Sequence, residues 1–355
     1  MQRETHCLKV SKTNGQKVIL LADKLSLREK DLKIEQDRTS IYVPLIRLPS
    51  SVEFANFKAQ GIAVVIGVRV FQESRGHISN LADVLADRLP PHLLASTPKA
   101  LDIVGDIAIV EIPPELKTNE RLVGEAVMET HRNVKTVLAK AGAVSGTYRL
   151  RDYKVVAGES RTDTIHKEFG SQFHVDLAKA YFSPRLSYEH MRVASQVQDG
   201  ETVVDLFSGV GPFAVLIGKS NDTVKIYAID INPGAFELLK KNILVNRVNT
   251  RVIPFLGDAR LIVHQKLSGV ADRVIMNMPE SAVEFVDVAC EALKREGGVV
   301  HFYCFQREPD SVKTVRIRFE DAVEKAGRRV EAIFVKTVRE TAPHEHQVVF
   351  DATIN

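Results

Sequence analysis

Tryptophan is absent from the 355 residues, aromatics make up 6%, and cysteine occurs three times. Cys7, Cys290 and Cys304 are too widely spaced to form a metal-ligand cluster, so no metal site is expected. Cys290 falls in a helical pattern and Cys304 in a strand pattern, and both are expected as reduced core residues. No apolar run is long enough to span a membrane and no targeting pattern is visible, so a cytoplasmic protein with no membrane partner is expected. An excess of one charge is lacking too. Lys and Arg number 48 against 45 Asp and Glu, and this net +3 permits an acidic partner without establishing one. Repeats and low-complexity segments are missing. The length suits two or three domains with sizeable cores.

The chain is organised around residues 201–279. A short apolar strand, Thr202 to Phe207, carries Asp205 and runs into Ser208-Gly209-Val210-Gly211-Pro212-Phe213. A strand that ends in glycines and leads into a helical pattern is the nucleotide-binding turn of an open α/β sheet. A second strand, Val224 to Asp230, ends in an acid at the usual βαβ distance, where one carboxylate suits the two hydroxyls of a ribose. A third ends in Gly257-Asp258-Ala259-Arg260, and a fourth, Asp272 to Met276, in Asn277-Met278-Pro279. The third glycine of a dinucleotide fingerprint is missing, which weakens an NAD reading without excluding it. Asp205, Asp230 and Asp258 together look like the S-adenosylmethionine pocket of a class I methyltransferase.

Upstream, short strands at 7–11, 41–46 and 63–68 and a helix over 15–27 give a small α+β unit. Pro44 argues for an edge strand there. A polar turn and helix follow over 71–90, with Pro90-Pro91 closing the helix. Two strands over 101–112, a helix over 119–130, and strands at 134–138, 146–157 and 173–177 make a second α+β unit. Arg132, Lys135, Lys140, Arg149, Arg151, Lys154, Arg161 and Lys167 fall in this region, with Tyr148 and Tyr153 among them. They read either as a path for a phosphate backbone with stacking aromatics or as a solvated sheet face. The expected boundaries are 1–70, a linker and helix over 71–95, 96–180, and 181–355.

The junction, residues 178–197, has Pro184 at a first-turn position and then a helical pattern. Arg185 and Glu189 share a face, either as a general base beside a cation or as an ordinary i,i+4 ion pair. Absences also bear on the reaction class. Exocyclic-amine methyltransferases carry an Asp/Asn-Pro-Pro-aromatic turn, whereas in Asn277-Met278-Pro279-Glu280 the second proline is absent and Glu280 replaces the aromatic. The cysteine nucleophile of a carbon-5 pyrimidine methyltransferase has no counterpart on a loop, since Cys304 lies in a strand. A ring-nitrogen acceptor needs only proton removal and charge stabilisation, which Glu189, Arg185 and Asn277 can supply. Strands at 299–305, 330–335 and 347–352 complete a seven-stranded sheet.

With these residues in view, the chain resembles the archaeal and eukaryotic-type tRNA (guanine-37 N1) methyltransferases in their three-domain archaeal form. Cys7 to Val10, Asp31 to Ile34, Asp102 to Ile112, Tyr181 to Glu189, Asp205 to Phe213 and Asn277-Met278-Pro279 carry the resemblance in order. It implies a class I, Rossmann-like seven-stranded mixed sheet with two smaller N-terminal α+β domains. It also implies S-adenosyl-L-methionine as cofactor, a tRNA containing guanosine 37 as substrate, and a monomer. By the same resemblance Glu189 accepts the N1 proton, Arg149 stabilises O6, Asn277 bonds the base, and Arg185 is the junction arginine. Tyr181 would pack near the methionine part of the cofactor, Asp230 hold its ribose and Asp258 orient its adenine. Asp205, Phe207, Gly209 and Gly211 would form the cofactor turn. Two departures stand out: His190 replaces the usual arginine and Met278 the usual leucine. Losing a permanent charge at 190 leaves room for an acceptor other than plain guanosine. Relatives that methylate C7 of the wyosine precursor at the same tRNA position are the alternative. Those that transfer the aminocarboxypropyl arm generally lack the first domain present here.

Overall fold

The computed structural model describes residues 2–72, 80–142 and 146–355. The chain divides into two compact units, Met1–Val84 and Leu85–Asn355.

In the first unit the strands Glu35–Gln36, Ser40–Pro44, Gln2–Ser11 and Val65–Gln72 lie side by side in that order, antiparallel throughout. Helices Gly15–Lys24 and Ser51–Ala59 accompany them, and the core is built on Leu8, Val18, Leu27, Val43 and Phe57. The second helix was not anticipated. Its signal was in the sequence all the same: the Ser50 hydroxyl accepts the Glu53 N–H and the Glu53 carboxylate accepts the Ser50 N–H, a reciprocal cap. The strand ending in Pro44 is not an edge, though its outer neighbour spans only two residues. Most of the polar turn expected after residue 71 lies outside the described residues.

A short helix, Leu81–Leu85, ends where the second unit begins, and another follows within that unit. Pro91 begins the helix Pro91–Leu94 and does not close one, since a first-turn proline has no N–H to lose. A four-stranded sheet follows, formed by Leu101–Val104, Ile107–Val110, Thr136–Lys140 and Tyr153–Gly158, with the helix Glu120–Thr130 against it. The strand expected over 146–157 is only its second half. Residues Gly146 to Arg149 form a turn in which Arg149 takes the left-handed conformation, φ 54°. A hairpin, Asp163–Glu168 with Ser171–Asp176, then leads to the junction helix Ser187–Ala194.

The large sheet has seven strands: β1 Thr202–Asp205, β2 Lys225–Asp230, β3 Val252–Leu256, β4 Arg273–Met276, β5 Gly298–Arg307, β6 Val330–Ala342 and β7 Glu345–Ile354. Their spatial order is β3-β2-β1-β4-β5-β7-β6. The first five are parallel, and β7 runs antiparallel between β5 and β6. Apolar side chains cover both faces, as a parallel sheet requires. One face packs on the helices Pro212–Ser220 and Pro233–Val245, the other on Val286–Ala292 and Val312–Lys325. The strand order reverses between β1 and β4, so a crevice opens at their carboxyl ends.

Candidate functional site

The turn after β1 exists because two glycines take conformations that side chains avoid. Gly211 has φ 90°, and a Cβ there would lie 2.4 Å from Leu239 Cδ1, so the helix Pro212–Ser220 could not start where it does. Gly209 has φ 55°, and a Cβ there would touch the Tyr181 carbonyl oxygen at 3.9 Å. Its N–H donates to Asp230 Oδ2 at 2.6 Å, and the Asn232 N–H donates to Asp230 Oδ1 at 2.8 Å. Asp230 thereby ties the end of β2 to the glycine turn. Burial pushes its carboxyl up in spite of those two donors. Asn242 fastens the other side: its amide group bonds both the backbone of His174 in the hairpin and the carbonyl of Val210.

The crevice is a cavity of about 420 Å³, in the range of small-molecule sites. Phe207, Gly209, Asp230, Asp258 and Asn277 line it, as do Tyr181 and Arg149. Asp258 also caps the helix Ala259–Ile262 by accepting the Arg260 N–H at 2.8 Å. Tyr181 is half exposed, and its hydroxyl accepts from Arg339 at 3.3 Å. Asn277 accepts from Gln347 Nε2 at 3.2 Å. The chamber, its acids at two strand ends and the open glycine turn fit a nucleoside cofactor.

Asp205 is not among the lining residues. It is fully buried, Oδ1 accepts the Phe207 N–H at 3.3 Å, and Oδ2 has no partner. Burial pushes its carboxyl up to about 7. Asp205 shapes the turn from beneath.

Glu189 is also held back from the cavity wall. It is 3% exposed, and Arg192 grips it with Nε to Oε2 at 2.9 Å and Nη2 to Oε1 at 2.6 Å. The Tyr303 hydroxyl donates at 2.7 Å and Lys336 Nζ stands 3.3 Å away. Burial alone would raise this carboxyl, but the hydrogen bonds from Arg192 and Tyr303 and the charges of Arg192 and Lys336 carry it below the usual range. Arg192 continues to Asp351, which His301 also bonds, so the group belongs to a buried ionic chain across β5 and β7. Arg185 does not pair with Glu189 along the helix; it donates to Asp102 at 2.5 Å.

His190 lines the cavity although it is 2% exposed. Its Nδ1 lies 2.9 Å from Glu168 Oε2, and His166 Nε2 lies 3.5 Å from Oε1. The Gly105 N–H donates to His166 Nδ1, which puts the His166 proton on Nε2, toward the carboxylate. Burial would raise the Glu168 carboxyl, yet the two imidazoles bring it down to about 2. Residue 190 is therefore set inward against a carboxylate.

A groove of about 360 Å³ adjoins the cavity and shares Arg149, Tyr181, Glu280 and Arg339 with it. Lys140, Arg151, Arg185 and Arg307 add four more cations along it. The rest of the basic set is elsewhere. Arg161 and Lys167 line a separate cleft with His166, while Lys154 pairs with Glu120. Arg339, Gln347 and Glu280 had not been singled out as site residues; Arg339 sits on β6 beyond the stretch expected as strand. Cys290 and Cys304 are buried, and burial pushes their thiols up to about 11 and about 12, far from a nucleophilic thiolate. Among the described residues no group of acids, histidines and cysteines is placed to hold a metal, and no helix is long and apolar enough to cross a membrane.

Comparison with known proteins places three family models in succession. Residues 7–53 match the tRNA methyltransferase 5 N-terminal domain, 81–162 the TYW2 N-terminal domain, and 164–332 the TRM5/TYW2 methyltransferase domain. The tRNA (guanine(37)-N(1))-methyltransferase Trm5b of Pyrococcus abyssi is 41% identical over 75% of this chain and 78% of its own length. The tRNA 4-demethylwyosine(37)-methyltransferase Taw21 of Saccharolobus solfataricus is 35% identical over 72% of this chain and 94% of its own. The crystal structure of Pyrococcus abyssi Trm5b superposes with a TM-score of 0.73 at 34% identity, covering 99% of both chains. The complex of aTrm5 with tRNALeu gives 0.68 at 31% identity over 98% of this chain and 99% of that one. M. jannaschii TYW2 in complex with AdoMet gives 0.56 at 30% identity over 72% of this chain and 99% of that one.

Proposed function

Because the chain belongs to the TRM5/TYW2 methyltransferase family, we propose that it transfers a methyl group from S-adenosyl-L-methionine to N1 of guanosine 37 in tRNA. The observation that carries this reading is the continuity of the two spaces. A nucleoside-sized chamber at the strand ends adjoins a groove where six Lys and Arg residues, Lys140, Arg149, Arg151, Arg185, Arg307 and Arg339, outnumber four acids, Asp102, Glu280, Glu340 and Glu345. A small metabolite needs no such groove, whereas a polynucleotide needs cations along its phosphates.

The cofactor supplies an electrophilic methyl group on a sulfonium. The residues of the chain must then hold the acceptor, remove the N1 proton and stabilise the charge that spreads to O6. Arg149, which lines the chamber, is assigned to O6, and its planar fork suits an oxygen that gains charge. Asn277, with its carbonyl oxygen bonded by Gln347, has its amide hydrogens left for the base. Tyr181 offers a ring face 6.0 Å from the Arg149 guanidinium. Glu189 is assigned the N1 proton. Its carboxylate is ionised, as an acceptor's must be, but in this structure it faces its cations. Acting on the base requires it to give up Lys336, the most exposed and most distant of its partners.

A specific observation keeps the wyosine branch as the second reading. The model matched by residues 81–162 is that of the TYW2 N-terminal domain, and the Saccharolobus relative is a demethylwyosine methyltransferase. Single-turnover transfer of labelled methyl to unmodified tRNA with guanosine or adenosine at position 37 tests the main reading. Transfer to the first alone is expected, and equal transfer to both would defeat it.

A further inference from the structure

Arg149 and Glu280 face each other across the mouth of the cavity, and both line it. Arg149 Nη1 is 2.9 Å from Glu280 Oε2 and Nη2 donates to Oε1 at 3.1 Å, a two-pronged pair. The partners come from separate elements. Arg149 stands on the turn before the strand Tyr153–Gly158, held in a left-handed conformation, with its guanidinium 6.0 Å from the Tyr181 ring centre. Glu280 follows Asn277-Met278-Pro279 at the end of β4, and its side chain is half exposed. Neither partner needs the other to be solvated, and an exposed pair of this kind adds little stability. Their placement calls for another explanation.

We propose that Glu280 is a specificity-determining residue that reads the exocyclic 2-amino group of the acceptor guanine, while Arg149 reads O6. This rests on the reading of guanosine N1 as the acceptor. The edge of guanine that carries N1 presents an acceptor, O6, on one side of N1 and a donor, the 2-amino group, on the other. A guanidinium and a carboxylate are the complementary donor and acceptor. In the free protein they satisfy each other. When guanine enters, O6 takes the fork, the amino group takes the carboxylate, and the two side chains part around N1. Adenine offers an amino group where O6 would be and a bare C–H where the 2-amino group would be. Arg149 and Glu280 would have to part for it with no partner gained, and unpaired charged groups reject a wrong substrate more strongly than a lost contact does. Inosine differs from guanosine only in lacking the 2-amino group, so it isolates the contribution of Glu280.

The experiment compares single-turnover methyl transfer to tRNA carrying guanosine or inosine at position 37, for the wild-type chain, Glu280→Gln and Glu280→Ala. Calorimetry with S-adenosylmethionine on each protein checks that the cofactor chamber is intact. The wild type should favour guanosine by on the order of 10–100-fold, the worth of one hydrogen bond to a charged group. Glu280→Ala should bring the ratio to within about threefold by losing rate on guanosine and not on inosine. Glu280→Gln, which keeps one carbonyl acceptor, should fall between. An unchanged ratio in Glu280→Ala would overturn the proposal. So would a variant that is faster on both substrates alike, because the pair would then be a latch and not a reader. A wild type that transfers nothing to guanosine 37 would instead defeat the underlying reading of the acceptor.

Discussion

Arg192 grips Glu189 at both carboxylate oxygens, three residues along the same helix, and the Tyr303 hydroxyl closes on the same carboxylate from β5. The residue assigned to take a proton is thus also a junction between the helix Ser187–Ala194 and the large sheet. Replacing Glu189 by Gln separates the two roles. If it takes the N1 proton, turnover should fall about 10²–10⁴-fold with cofactor affinity unchanged. The lost ion pairing should lower stability as well, by roughly 1–3 kcal/mol. Calorimetric melting and single-turnover rates read these separately, and a less stable protein with full turnover would leave Glu189 an anchor only.

Asp205 should make the protein less stable as pH rises through a defined window. Its folded carboxyl lies at about 7 against 3.8 in a solvated chain, because burial disfavours the charge. Between about pH 4 and 7 the folded state therefore holds a proton that the unfolded state has released, so stability falls with rising pH and levels off above 7. The full difference amounts to roughly 4 kcal/mol at most. Asp205→Asn removes the titration, so urea melts should show it gaining on the wild type at pH 8 relative to pH 4.5. Parallel stability curves would contradict this.

Asp230→Ala should weaken S-adenosylmethionine by about 1–3 kcal/mol, the scale of a hydrogen bond to a charged group. Part of that loss would come through Gly209, whose N–H the carboxylate holds at 2.6 Å. Titration calorimetry measures it, and unchanged affinity would remove Asp230 from the cofactor site.

The large sheet was legible because its signals are local. Apolar runs ending in glycine or an acid mark β1 to β3, one ending in Asn277 marks β4, and the glycine turn carries its own conformational demand at Gly211. Local signals also marked the first-turn proline at Pro184. The site's ionic wiring was not legible. Arg149 meets Glu280 across 131 residues, and Glu189 meets Tyr303 across 114. No periodicity reports such pairings. Nor does spacing tell that Arg185, four residues before Glu189, turns to Asp102. Arg339 was missed because β6 runs on to Ala342 through register shifts between Val330 and Ala332 and between Thr337 and Arg339, which break the alternation that identifies a strand.

A chain beginning at Asn80 should keep the cofactor site, since every residue lining the chamber lies between Gly146 and Gln347. The Saccharolobus relative is matched over 94% of its own length by 72% of this chain. Affinity for S-adenosylmethionine should stay within about twofold, while binding to full tRNA weakens as shape and phosphate contacts are lost. Undiminished methylation of tRNA at limiting concentration would show that Met1–Val84 takes no part in recognition.

The most direct measurement is the identity of the modified nucleoside. Unmodified tRNA with guanosine 37 is incubated with the full-length protein and S-adenosylmethionine, digested, and analysed by mass spectrometry with position mapping. The expected product is 1-methylguanosine at position 37 and at no other position. Methylation confined to a wyosine-precursor tRNA, or a methyl group on any other atom or position, would contradict it.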